Sequence, residues 1–346
     1  MWVELLLLVL VVLVAVVIAR LGDLFAAAML TGIFSLLCAG LYTIMDAVDV
    51  AFTEAAVGAG ITTVLFLGAL GMTSTAERQQ RFRWRPLLVV VLTGGALMWG
   101  TSDMPAFGDP AAPIHHHVEP EYLEGAASDI HVANVVTAVL ASYRGYDTLG
   151  EVTVVFTAAV GVMLLLGRAA GGAARHWRRG ADRSLGVSEG AAEPGELRDA
   201  PMLMREKPVL RVSVRLLIPF ILLFALYVQA HGDFGPGGGF QAGVIFAAGL
   251  ILFGLIFDPQ AVARVFPPAV AETLIAVGVL LYGGTGVATL LLGGKFLDYD
   301  EFGLASGQHY GILAVELGVG IAVAATMVRL YFAFSALHPE DVVEPQ

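Results

Sequence analysis

The chain has 346 residues, of which 57% are hydrophobic and only 14% charged, with a mean hydropathy of +0.79. A soluble domain carries roughly 25% charged residues, so the composition is that of a polytopic membrane protein. A net charge of -11 argues against nucleic-acid binding, and the single cysteine, Cys38, rules out an internal disulfide or a cysteine metal cluster.

Apolar runs long enough to cross a bilayer need about 20 residues each. Hydropathy places about nine, at 3–19, 24–45, 50–72, 86–101, 150–167, 212–230, 240–257, 268–292 and 311–334. The expected fold is therefore all-α, with about nine transmembrane helices. The first run lacks a basic leading region and a small-residue cleavage site, so it is expected to be a retained span. Residues 1–75 form a first block of three helices, and residues 76–167 a two-helix segment with an outer loop. Residues 168–208, with Gly171-Gly172, Pro194-Gly195 and Pro201, read as a polar cytoplasmic linker, and residues 209–346 as a final four-helix block.

The basic residues orient this map. Arg20, Arg78, Arg81, Arg83, Arg85, the arginines from Arg168 to Arg215, Arg264 and Arg329 all fall on one side if the spans alternate. Arg144 and Lys295 fall on the other. Short basic loops face the cytoplasm, which predicts an outer N-terminus, a cytoplasmic C-terminus and residence in the plasma membrane. The outer side is acidic, from Asp103 to Asp129 and again at Asp298, Asp300 and Glu301. Such a vestibule can concentrate cations, although most of these residues fit ordinary solvated loops. His115-His116-His117 is a poor preformed metal site, because adjacent side chains point in different directions; no metal and no cofactor is expected.

Acids inside membrane spans are costly and mark ion or proton routes. Glu54 lies more than a helical turn inside the third span, behind Asp46 and Asp49, and must face protein or water. Gly58 and Gly60 follow it and allow close helix approach or a local distortion. Asp147 and Glu151 stand at i, i+4 at the mouth of the fifth span and share a helix face. They read either as ion-path acids or as acids favoured by a helix N-terminus. Glu316 is a further acid with apolar flanks, while Glu272 at a helix start reads as structural. No lysine lies inside any span.

The stretch from Gln229 to Gln241 joins the sixth and seventh spans through His231, Asp233, Gly235, Pro236, Gly237, Gly238, Gly239 and Phe240. Its glycines and proline suit a tight, irregular reversal whose backbone groups can meet an ion or a partner. His231 can relay protons, or simply sit at the interface. No Gly-Lys-Ser follows, so this is not a nucleotide loop. No feature points to an enzyme active site.

The loop from His231 to Gln241, with the Ala-Gly-Val-Ile run after it, resembles the MnhB domain, the B component of Mrp-type multisubunit sodium/proton antiporters. The stretch from Asp49 through Glu54 to Gly58 resembles the MbhD-like domain found at the end of the large MrpA component. The stretch from Tyr143 through Asp147 to Glu151 resembles the MbhE-like segment that follows it. The resemblance implies a membrane subunit of an ion-translocating complex related to the membrane arm of complex I. It carries Glu54, Asp147 and Glu151 over as pathway acids, and His231, Pro236 and Phe240 as loop residues for antiport or assembly. It also implies sodium and protons as cargo, and other Mrp-type subunits as partners, with a large antiporter-like subunit on a separate chain. Two alternatives stay open: the ion-translocating part of a membrane-bound hydrogenase or sulfane reductase complex, and a mainly structural bridging subunit.

Overall fold

The computed structural model describes residues 2–70, 83–184, 208–304 and 306–335, with backbone alone for 167–184. The sequence expectations for Arg78, Arg81 and linker residues 185–207 lie outside the described residues. Every described regular element is a helix. In a bilayer this follows from the need to satisfy each backbone polar group within its own segment.

The helices are α1 (Trp2–Ile18), α2 (Leu24–Ile44), α3 (Val48–Leu70), α4 (Trp84–Thr101) and α5 (Val118–Ser128). A short α6 (Val135–Ala138) runs on as a π-helical turn (Val139–Tyr143) into α7 (Gly145–Ser184). Then come α8 (Pro208–His231), α9 (Gly239–Phe257), α10 (Pro259–Val265), α11 (Pro268–Leu291) and α12 (Gly307–Ser335). Among the described residues seven segments are long and apolar enough to cross a membrane: α2, α3, the Gly145–Leu166 part of α7, α8, α9, α11 and α12. The chain is thus a multi-pass membrane protein. The two other expected spans are helices as well. However, α1 has only 17 residues, about 26 Å at 1.5 Å per residue, and α4 opens on Trp84, Arg85 and Pro86.

The bundle is built around α9 and α12, the two most buried spans. They approach through small residues: a Cβ on Gly243 would lie 2.6 Å from the Gly320 carbonyl oxygen. On the other flank of α12, a Cβ on Gly278 of α11 would lie 2.5 Å from the Gly318 carbonyl oxygen. Backbone contact of this kind is the usual substitute for hydrophobic association inside lipid. Helices α8, α11, α7 and α3 pack around this pair, with α2 behind α3 and α1 behind α2.

Helix α3 is not uniform. Ala55–Thr62, directly after Glu54 and containing Gly58 and Gly60, winds as a π-helix. The sequence admitted either close approach or distortion here, and both occur. A Cβ on Gly58 would lie 2.2 Å from Ser35 Oγ of α2.

Candidate functional site

The glycine-rich reversal, the start of α3 and the segment before α6 meet at one end of the bundle. Gly238 has φ 104° and ψ -178°, a region open essentially to glycine. The turn is pinned from three sides. Gly238 N donates to Val228 O at 3.1 Å. Gly237 N donates to Asp49 Oδ1 at 3.2 Å. Asn134 Nδ2 donates to Gly235 O at 2.9 Å and Gly232 O at 3.1 Å, and lies 3.5 Å from Asp49 Oδ1. Asn134 also caps α6, its Oδ1 accepting from Val136 N at 3.0 Å. Thr137 Oγ1 donates to Gly232 O at 2.8 Å, and Gln241 Nε2 to Thr53 Oγ1 at 2.8 Å.

Beneath this knot lies a cavity of about 250 Å³. Three acids line it: Asp49 of α3, Glu151 of α7 and Glu316 of α12. Thr53, Thr137, Thr148, Gln241, Tyr282 and the Gly237–Gly238–Gly239–Phe240 backbone complete its polar wall and floor. The Glu316 carboxylate lies against the reversal itself: a Cβ on Gly238 would sit 2.9 Å from its Oε1, and one on Gly232 2.9 Å from its Oε2. Two buried tyrosines tie the α7 end to the last block. Tyr282 OH donates to Gly145 O at 2.9 Å and Tyr299 OH to Ala141 O at 2.7 Å.

The remaining sequence candidates lie apart from the cavity. The Glu54 carboxylate lies toward α2, beside Ser35 and Gly58, so of the two surroundings open to an acid at that depth, protein or water, it meets protein. Asp147 pairs with Arg144 at 2.5 Å on the surface, so of the i, i+4 pair it is Glu151 that lines the cavity. Helix α7 begins at Gly145, earlier than hydropathy placed it, and both acids therefore sit in its first two turns. His231 stacks on Tyr227 with ring centroids 5.0 Å apart, and Pro236 is exposed. His115 of the histidine triplet pairs with Glu119 at 2.5 Å. Glu272 pairs with Arg329 at 2.9 Å.

Sequence reasoning missed Asn134, Thr137, Thr53 and Gln241, because single polar residues among apolar ones leave no periodic signal. It also missed a contact between Asp233 and His309, where an ion pair joins the buried carboxylate to the start of α12. Burial raises the Asp233 carboxyl above the ordinary carboxylate range, and His309 draws it part of the way back.

Residues 209–329, which contain the reversal and Glu316, match the family described as a domain related to the MnhB subunit of the Na+/H+ antiporter. A protein of Staphylococcus haemolyticus (strain JCSC1435), named as antiporter subunit mnhB2, is 33% identical over 138 residues, covering 38% of this chain and 97% of that protein. The chain belongs to the MnhB family. Ahead of its MnhB part, residues 7–75 match the MbhD family and residues 82–175 the MbhE family, described as the D and E components of MBH. A Rhizobium meliloti (strain 1021) protein, named as the A/B component of a probable K(+)/H(+) antiporter, is 25% identical over 316 residues, covering 82% of this chain and 30% of that one. Among solved structures, a chain of the Mrp complex from Dietzia sp. DQ12-45-1b superposes with a TM-score of 0.72 at 27% identity, over 98% of this chain and 35% of that chain. The chain thus spans 30% and 35% of the length of these two relatives. Each family-matching segment contributes one acid to the cavity: Asp49, Glu151 and Glu316.

Proposed function

We propose that the chain is a membrane subunit of a multisubunit Mrp-type cation/proton antiporter, and that the cavity between Asp49, Glu151 and Glu316 is part of its ion path. The observation that carries this reading is the convergence of one acid from each of the three segments on a single cavity at one end of the bundle. Asp49 acts electrostatically on Glu316, and the exposed Glu151 carboxylate lines the same cavity, so acids that share one cavity are placed to trade protons for cations. Each either takes a proton or faces a cation, and competition between the two for the same oxygens is what exchange requires.

In this reading the cavity end faces outward. Arg20, Arg211, Arg215, Arg264 and Arg329 lie at the opposite ends of the spans, which supports a cytoplasmic C-terminus and an outer N-terminus. Helices α1 and α4 then cross as well, giving nine spans in the plasma membrane. Sodium is the cation we assign, exchanged for external protons. Glu54 and Asp147 serve the approaches to the cavity from α2 and from the outer surface. The reversal, with His231, Pro236, Gly237, Gly238, Gly239 and Phe240, is a rigid contact rather than a flexible cover. The partners are other Mrp-type subunits, including a large antiporter-like one.

The test uses the assembled complex in everted membrane vesicles. Asp49→Asn, Glu151→Gln and Glu316→Gln keep side-chain size and remove the charge. Each should lower cation-dependent proton movement by at least roughly tenfold while the subunits still co-purify. Full transport with an unchanged pH profile in all three variants would refute the ion-path reading and leave the cavity a packing feature.

A further inference from the structure

His309 opens α12 at the end of the loop that carries Tyr299, and its imidazole Nδ1 is in ion-pair contact with Asp233 Oδ2. The two ends of this pair differ in exposure: the His309 side chain is 42% exposed and that of Asp233 only 8%. Asp233 is preceded by Gly232, and a Cβ there would lie 2.9 Å and 3.0 Å from the two carboxylate oxygens of Glu316. Any side chain at position 232 would therefore fill the space in front of that carboxylate. Glu316 lines the acid cavity. An exposed imidazole thus contacts a buried carboxylate, and the glycine next to that carboxylate in the chain lies against the cavity acid.

We propose that His309 and Asp233 form a proton relay that connects the bundle surface to Glu316. The proposal rests on the reading of the cavity as an ion path and assigns its proton access. The transfer is balanced at each step. The His309 imidazolium gives its Nδ1 proton to Asp233 Oδ2, so an N–H bond breaks and an O–H bond forms. The neutral imidazole takes a new proton from solvent on a ring nitrogen. Protonated Asp233 passes its proton across the Gly232 face to the Glu316 carboxylate, which goes from charged to neutral as Asp233 regains its charge.

The chemistry suits the groups. Imidazole is the side chain that ordinarily titrates near neutrality. A carboxyl raised by burial, as Asp233 is, stands closer to imidazole in proton affinity than a solvated one. Ionisable groups near the pair and its acceptor include Tyr310, whose ring lies edge-on to His309 at 5.5 Å, Tyr299, packed against the first turns of α12, His231 at the end of α8, and Asp49, which acts on Glu316. Asp233 and Asp49 are both within electrostatic reach of Glu316, so a proton arriving there changes the balance of the whole cavity.

The experiment compares His309→Ala, His309→Gln, Asp233→Asn and Glu316→Gln in the assembled complex, in everted vesicles over a range of pH. For His309→Ala the expected result is normal co-purification, a rate lowered by roughly a hundredfold, an altered pH profile and partial recovery with added imidazole. Imidazole should leave the unsubstituted complex and Glu316→Gln unaffected. His309→Gln retains an N–H donor toward Asp233 but cannot carry the proton, so it should assemble and transport slowly even if the alanine variant fails to assemble. Normal rate and pH profile in His309→Gln would overturn the relay. So would an assembled His309→Ala complex whose deficit imidazole does not touch. Full transport in Glu316→Gln alone would remove the relay's acceptor and overturn it, whereas full transport in Asp49→Asn, Glu151→Gln and Glu316→Gln alike would bring down the underlying ion-path reading, which keeps the two failures distinct.

Discussion

Replacing Asn134 with alanine isolates the knot that holds the reversal over the acid cavity. Alanine removes four hydrogen bonds: Nδ2 to Gly235 O at 2.9 Å, Nδ2 to Gly232 O at 3.1 Å, Val136 N to Oδ1 at 3.0 Å and a long one from Nδ2 to Asp49 Oδ1 at 3.5 Å, whose acceptor keeps Gly237 N. Two contacts survive. Asn134 N still donates to Asp233 O at 3.0 Å, and Gly232 O keeps Thr137 Oγ1 at 2.8 Å. The groups left without their partner are therefore Gly235 O and the Val136 N–H. Losing the cap costs about 1 kcal/mol, and the part-buried Gly235 carbonyl adds about 1–2 kcal/mol. At 1.4 kcal/mol per tenfold, a total of about 2–3 kcal/mol raises the opening equilibrium of the loop by roughly thirty- to a hundred-and-fifty-fold. Hydrogen exchange read by mass spectrometry on the intact complex measures this at the amides of Gly237 and Gly238, which donate to Asp49 Oδ1 and Val228 O. Exchange in a peptide spanning residues 232–240 should speed up toward that factor, while peptides from the middle of α9 and α12 stay unchanged. Unaltered exchange in residues 232–240 would refute the claim that Asn134 pins the reversal.

Gly238→Val should impair both assembly and transport, because a β-branched residue at φ 104° is strained by about 1–3 kcal/mol and its Cβ would press on Glu316 Oε1. Normal co-purification and full exchange activity in that variant would show the turn to be more compliant than the geometry requires. For orientation, single cysteines placed at Asp300 and Arg264 in a chain with Cys38 replaced should react differently with an impermeant thiol reagent. Position 300 should label on intact cells and position 264 only after permeabilisation, and the reverse order would invert the proposed topology.

The helical architecture was legible in the sequence because hydropathy and the backbone's need for internal hydrogen bonds leave few alternatives in a bilayer. The same logic left Glu54 to face protein or water, and the structure places its carboxylate beside Ser35 of α2. The Gly-Pro-Gly-Gly-Gly run announced a tight reversal, and Gly238 supplies the positive φ that it needs.

Rotation about each helix axis could not be read in this way. Which acid faces which neighbour depends on where two backbones come closest, and that is set by contacts such as Gly243 with Gly320 and Gly278 with Gly318. Those contacts turn Glu316 toward the reversal, while the pairing of Asp147 with Arg144 leaves Glu151 as the acid that α7 presents to the cavity. Asn134 and His309 carried no pattern at all. Their roles depend on carbonyls and a carboxylate about a hundred and about seventy-five residues away in the chain, and local periodicity reports only on neighbours within a few turns. Composition and spacing therefore determined that this chain crosses the membrane as helices carrying costly acids, and the close approach of glycine-lined backbones decided which of those acids share one cavity.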